Sequence, residues 1–167
     1  MITKKIEAAL NKQMNYEFYV SAVYLSMSSY FAAQSLDGFA NWMRIQAEEE
    51  RTHAMKLFDF IIERDGEAKL AAVKVPPLTW KTPLAACQDT LKRERENTKQ
   101  INGLMELAFD EGDQATRSFL QWFVDEQVEE EASATKLVED TKRVGSNQGA
   151  LFMLDRELGT RTAGPAE

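Results

Sequence analysis

Four runs of apolar residues recur at alternating steps of three and four, and that spacing narrows the possible folds more than any other property of this chain. The first, over residues 4–33, turns Ile6, Leu10, Gln13, Glu17, Val20, Tyr24, Met27 and Phe31 to one side. The second starts at 36 or 37 and runs to 64, with Phe39, Met43, Gln46, Glu50, His53, Leu57 and Phe60 as its stripe. The third, over 83–109, carries Leu84, Cys87, Leu91, Glu94, Thr98, Ile101, Met105 and Ala108. The fourth, over 113–144, carries Phe119, Phe123, Gln127, Glu130, Ala134 and Leu137. Steps of three and four place side chains on one face of an α-helix. The pattern therefore predicts four long helices, each with one face to bury. Pro83 suits a first helical turn, and Asp37 is placed to cap the second helix.

The connections suggest how the helices are arranged. Short links near 34–37 and 110–113 make antiparallel hairpins of the first two helices and of the last two. Residues 65–82 include Pro76 and Pro77, which exclude helix. Extended at ~3.3 Å per residue, this link reaches roughly 55 Å, whereas the second helix is only about 42 Å long. It can run the whole length of a bundle and leave the second and third helices parallel. The expected fold class is all-α, a four-helix bundle with the long crossover found in ferritin-like folds. A short fifth helix follows, with Leu151, Leu154 and Leu158 on one side. Phe152 and Met153 make it apolar on more than one face, so it should dock on its own bundle or on other subunits. Residues 1–159 read as one domain, and residues 160–167 as a disordered tail.

Each inward stripe is broken by an acid at one level: Glu17, Glu50, Glu94 and Glu130. His53, the only histidine, lies three residues after Glu50, and Gln127 lies three before Glu130. Each of these pairs shares a helix face. Buried carboxylates are costly, and clustered ones more so. Protons could neutralise them at the expense of large pKa increases. No lysine or arginine stands in the stripes at this level to do it. Divalent cations do it naturally, four carboxylates balancing two, and oxygen-rich ligation with one nitrogen suits iron, manganese or zinc. A lone glutamate at a helix boundary commonly just reaches water, and a lone Glu-x-x-His pair is commonly structural. Four helices breaking pattern in concert point to metal.

Charge and composition agree. A formal charge of −7 argues against a nucleic-acid partner, which needs a basic face, and favours cations. One cysteine, Cys87, excludes an internal disulfide framework and a cysteine-based metal cluster. No run approaches the length of a membrane span, and MITKKIEAALNKQMNYE lacks the apolar core of a secretory peptide. A cytoplasmic location is expected, with no membrane partner.

The motifs NYEFYVSAVYLSMS around Glu17, AEEERTHAMKLFDF around Glu50 and His53, LKRERENT around Glu94, FLQWFVDEQVEEE around Gln127 and Glu130, and the closing GALFMLDREL resemble the bacterial non-haem ferritins over nearly the whole chain. The resemblance implies a ferroxidase centre in which Glu17, Glu50 and His53 hold one iron. Glu50 would bridge to a second iron, held also by Glu94 and Glu130. Gln127 stands where bacterioferritins have a second bridging glutamate, which implies a weaker second site whose iron moves on to storage. A third iron site of Glu49, Glu126, Glu129 and Glu130 is implied as well. So is a place beside the irons for Tyr24, two turns from Glu17, where it hydrogen-bonds a ligand or donates an electron.

The activity implied is oxidation of Fe(II) by O₂ at an intrasubunit di-iron centre, with Fe(III) stored as a mineral inside a homo-oligomeric cage of twenty-four subunits. No haem is expected. Arg51 stands where bacterioferritins place the haem-ligating methionine, and Glu130 stands where they have a histidine. A single cysteine cannot build the rubredoxin module of rubrerythrins, and the first helix lacks the histidines of DNA-binding mini-ferritins. Two other readings stay open at this point: a di-iron oxidase without storage, and a structural helical bundle whose acids are solvated.

Overall fold

The computed structural model describes residues 1–163 and has five helices: α1 (Lys4–Ala32), α2 (Asp37–Glu63), α3 (Pro83–Asp110), α4 (Gln114–Val144) and α5 (Gln148–Leu158). α1 packs along α2, and α3 along α4. Gln13 meets Asn97 while Met27 meets Thr90, so α1 and α3 run antiparallel. Gln46 meets Glu130, and Phe60 stacks on Phe119 at 3.8 Å, so α2 and α4 do too. α2 and α3 are therefore parallel, and the link between them travels the length of the bundle as its reach allows. Asn11 and Asn15 hold its first part. Asn11 donates from Nδ2 to the Glu67 carbonyl and accepts the Lys69 N–H; Asn15 does the same with the Lys69 carbonyl and the Ala71 N–H. Two side-chain amides thus satisfy backbone groups that no neighbouring strand serves.

Every stripe residue expected in α1 and α2 is buried. In α3 the buried face is turned slightly from the expected one. Thr90, Asn97 and Leu104 are buried, while Leu84, Leu91, Thr98 and Met105 lie at its edge. Two apolar clusters result. One is built around Phe31, Phe39, Met43 and Leu137, the other around Leu10, Met14, Leu57, Ile101 and Leu120. Glu17, Glu50, Glu94 and Glu130 are buried between them.

Side chains of Thr3, Thr82, Asp113 and Asn147 accept N–H bonds at the starts of α1, α3, α4 and α5. The expectation that Asp37 caps α2 is corrected: the cap position is Leu36, which makes no side-chain bond, and Asp37 is the first helical residue. An orphan N–H of this first turn is served from elsewhere, since Phe39 N–H donates to Asp155 Oδ1 of α5 at 3.0 Å. The approach is so close that a Cβ on Gly38 would lie 1.6 Å from the Asp155 carbonyl oxygen. Gly38→Ala is therefore expected to push α5 off the bundle and cost about 1–3 kcal/mol, the usual range for overpacking. A denaturant midpoint equal to wild type would contradict that docking.

α5 buries Leu154 and rests Leu151 and Leu158 on the first cluster, leaving Phe152 and Met153 59% and 66% exposed. Within the stretch from residue 160 expected to be a disordered tail, Arg161 contacts α2 through Asn41, Trp42 and Glu49. Residues 164–167 of that expected tail lie outside the described residues.

Candidate metal centre

The four glutamates converge because antiparallel pairing brings the middle turns of all four helices to one height. Each carboxylate is oriented by a neighbour. Glu17 accepts Nε2–H of Gln13 at 2.7 Å and Nδ2–H of Asn97 at 3.2 Å. Gln13 Nε2 also donates to Asn97 Oδ1 at 2.6 Å, which joins the two amides. Glu130 Oε2 accepts Nε2–H of Gln46 at 2.8 Å. Glu94 Oε1 accepts the Tyr24 hydroxyl. Glu50 Oε2 lies 3.2 Å from His53 Nδ1.

Three buried polar atoms of the layer have no hydrogen-bond partner among the described residues, namely Glu50 Oε1, Glu94 Oε2 and Gln46 Oε1. An orphaned carboxylate oxygen in a dry interior is expensive, and two of them face the same polar layer. Ligand atoms of Glu17, Glu50 and His53 all lie within 4.8 Å of one another, as do those of His53, Glu126 and Glu130. An oxygen-rich set with one imidazole and unshared carboxylate oxygens fits a divalent cation of the iron, manganese or zinc kind.

The electrostatics of the layer tell the same story. Burial, then the charges of Glu94 and Glu130, hold Glu50 well above the usual carboxylate range. Burial and the Glu50 charge do the same to Glu17. Burial pushes Glu94 up to about 7, although the Tyr24 hydroxyl opposes this. Burial and the Glu94 charge push Glu130 to about 8. Tyr24 is itself raised well above its ordinary value by burial and by Glu94, so its hydroxyl stays protonated and donates. Burial and mutual repulsion thus make ionising these carboxyls together costly unless a cation joins them.

The structure thus brings together Glu17, Glu50, His53, Glu94 and Glu130, with Tyr24 on Glu94. Gln127 is turned toward α3. Its Nε2 donates to the Glu94 carbonyl and to Thr98 Oγ1, and its Oε1 accepts from Asn97. Of the expected third group, Glu126 joins Glu130 and His53. Glu49 instead accepts from Arg161 at 2.7 Å, and Glu129 is exposed. Burial raises the Glu49 carboxyl above its ordinary value, against the pull of Arg161. Trp122 meets His53 edge-on at 5.4 Å.

Three residues of the layer escape a search for acids and histidines: Gln13, Gln46 and Asn97. Gln13 and Gln46 interrupt apolar stripes just as Glu17 and Glu50 do, which was the available signal. Asn97 follows Glu94 at the spacing that His53 keeps from Glu50, so the same three-residue argument reaches it.

Comparison with known proteins gives one answer. The family described as the ferritin-like domain matches residues 7–144. The bacterial non-heme ferritin of Staphylococcus aureus strain MRSA252 is 40% identical over 162 residues, 97% of this chain and 98% of that protein. The bacterial non-heme ferritin of Bacteroides fragilis strain 638R is 42% identical over 161 residues, 96% of this chain and all of that one. Among solved structures, the open-pore ferritin of the hyperthermophilic archaeon Archaeoglobus fulgidus superposes with a TM-score of 0.96. It is 51% identical and covers 97% of this chain and 100% of its own. A bundle with one long crossover, a buried carboxylate–histidine layer and near-full-length relatives at this identity place the chain in the ferritin family.

Proposed function

We infer that the protein is an iron-storage ferritin with ferroxidase activity, oxidising Fe(II) with O₂ and keeping the Fe(III) as a mineral. The observation that carries the site assignment is the buried layer itself, where Glu17, Glu50 and His53 offer ligand atoms within 4.8 Å of one another and Glu50 and Glu94 keep unpartnered oxygens. In this reading Glu17, Glu50 and His53 take one Fe(II). Glu50 is shared with a second, held also by Glu94 and Glu130. Each Fe(II) gives one electron to O₂, and carboxylates suit both oxidation states because they are hard, anionic donors.

The other residues of the layer position these groups. Tyr24 occupies Oε1 of Glu94 and leaves Oε2 to a metal. Gln13 and Asn97 fix Glu17, and Gln46 fixes Glu130, as partners of metal ligands usually do. Gln127 contributes through its bonds to α3 and leaves the second iron with fewer anionic donors. A third iron sits toward Glu126 and Glu130, with Glu49 and Glu129 as its further acids. Phe152 and Met153, exposed on α5, support assembly with other copies of the chain, which we take to be a cage of twenty-four. No helix among the described residues is long and apolar enough to cross a membrane, and a cytoplasmic setting suits the reading.

The test is Fe(II) added in air to metal-free protein, followed by sizing with iron analysis. Cage-sized protein retaining far more iron than its binding sites could hold is the expected result. Oxidation without retained iron would indicate a di-iron oxidase, and neither would leave a structural bundle.

A further inference from the structure

Arg161 lies beyond the last helix, yet its side chain is seated on the α2 surface. Its Nη2 donates to Glu49 Oε2 at 2.7 Å, and Nη1 reaches the Trp42 carbonyl at 3.5 Å. The guanidinium carbon lies 4.6 Å from the centre of the Trp42 ring. Its backbone is held at both ends: the carbonyl accepts Nδ2–H of Asn41 at 3.1 Å, and the N–H donates to the Leu158 carbonyl at 3.2 Å. Trp42 and Glu49 are seven residues apart, two helical turns, so one stripe of α2 provides both the platform and the anion.

The consequence appears one position along the helix. Glu126, Glu130 and His53 have ligand atoms within 4.8 Å of one another, and Glu49 is absent from that group. Glu49 Oε2 is bound instead by a cation the chain supplies itself. A guanidinium on a carboxylate meets the same demand that a metal ion would. Glu49 cannot serve both with the same oxygen.

We propose that Arg161 is a positioning residue for the inner metal site, an internal cation that competes with iron for Glu49. With Arg161 seated, the third site offers Glu126 and Glu130; once Arg161 is displaced, Glu49 swings in as an added anionic ligand. The C-terminal segment thereby sets how tightly iron pauses between the oxidation centre and the store. This rests on the assignment of Glu49, Glu126 and Glu130 to a third iron.

The test is anaerobic titration of the assembled, full-length protein with Fe(II), resolving successive equivalents by calorimetry. Arg161→Gln is expected to tighten the third equivalent about 5-fold while leaving the first two unchanged, since a partly exposed ion pair is worth no more than about that. In a Glu49→Gln background the same change should have no effect, and Arg161→Lys, which loses the planar fork, should fall between. A third equivalent of wild-type affinity in Arg161→Gln, or a weaker one, would overturn the proposal while the site assignment stands. If Glu126→Gln leaves every equivalent unaltered, the third-site assignment fails and takes the proposal with it. Thermal melts of each variant identify any loss of fold, and Arg161→Lys then provides the deciding comparison.

Discussion

Glu50→Gln is expected to slow Fe(II) oxidation by about 100-fold or more and, at the same time, to leave the metal-free protein as stable as wild type or more so. The two halves come from one observation. Glu50 is fully buried, one of its oxygens has no partner among the described residues, and it shares its layer with Glu94 and Glu130. Without metal it is a liability, and its neutral isostere removes charge without leaving a cavity. In the proposed function it is the carboxylate shared by both irons, so its loss would disable both at once. Glutamine keeps the volume but gives a weaker, uncharged donor. Stopped-flow oxidation and a thermal melt of the metal-free variant decide the matter. A variant that oxidises iron normally would remove Glu50 from the centre. A variant that melts far below wild type would make its role structural. A site that costs stability in return for function is where local folding rules should break.

That breakage is also why so much could be read before any coordinates. The stripes of α1 and α2 were fully legible because an apolar face with a period near 3.6 leaves little freedom. The layer was legible because Glu17, Glu50, Glu94 and Glu130 interrupt those faces at one height. Three things were hidden, each for a different physical reason. The rotation of α3 was ambiguous because Asn97 and Thr98 are both polar and adjacent, and packing against Gln13 and Gln127 decides which points inward. The start of α2 looked self-capped at Asp37, whereas its bond comes from Asp155, 116 residues away, and local sequence carries no record of that. Arg161 sits in a short polar segment with glycine and threonine that reads as disordered. What orders it is an anion and an indole on another helix.

The metal-free protein should lose stability as pH rises from about 4.5 to about 8, the reverse of an ordinary acid-sensitive protein. Glu94 is pushed up to about 7 and Glu130 to about 8, both by burial first, from an ordinary value of 4.5. Within that window the folded chain keeps protons that the unfolded chain has released. Stability therefore falls with rising pH. The contribution is fully present below about 4.5 and is lost as pH passes through the folded values of 7 and 8. One pH unit of separation corresponds to about 1.4 kcal/mol, so the two groups together amount to something on the order of 8 kcal/mol, or roughly 15–30 °C in melting temperature for a chain of this size. Anaerobic Fe(II) should reverse the trend. Its ligands must shed their protons to bind, so affinity rises with pH, and a ligand bound only to the folded state stabilises it by mass action. Melts at pH 5 and pH 8, with and without Fe(II), make the comparison. If the metal-free melting temperature rises across the window, the buried carboxylates are ionised and neutralised by the protein itself. The layer would then need no metal. A fall that Fe(II) reverses would mean that the protein holds these four helices together around a charge it leaves for iron to neutralise.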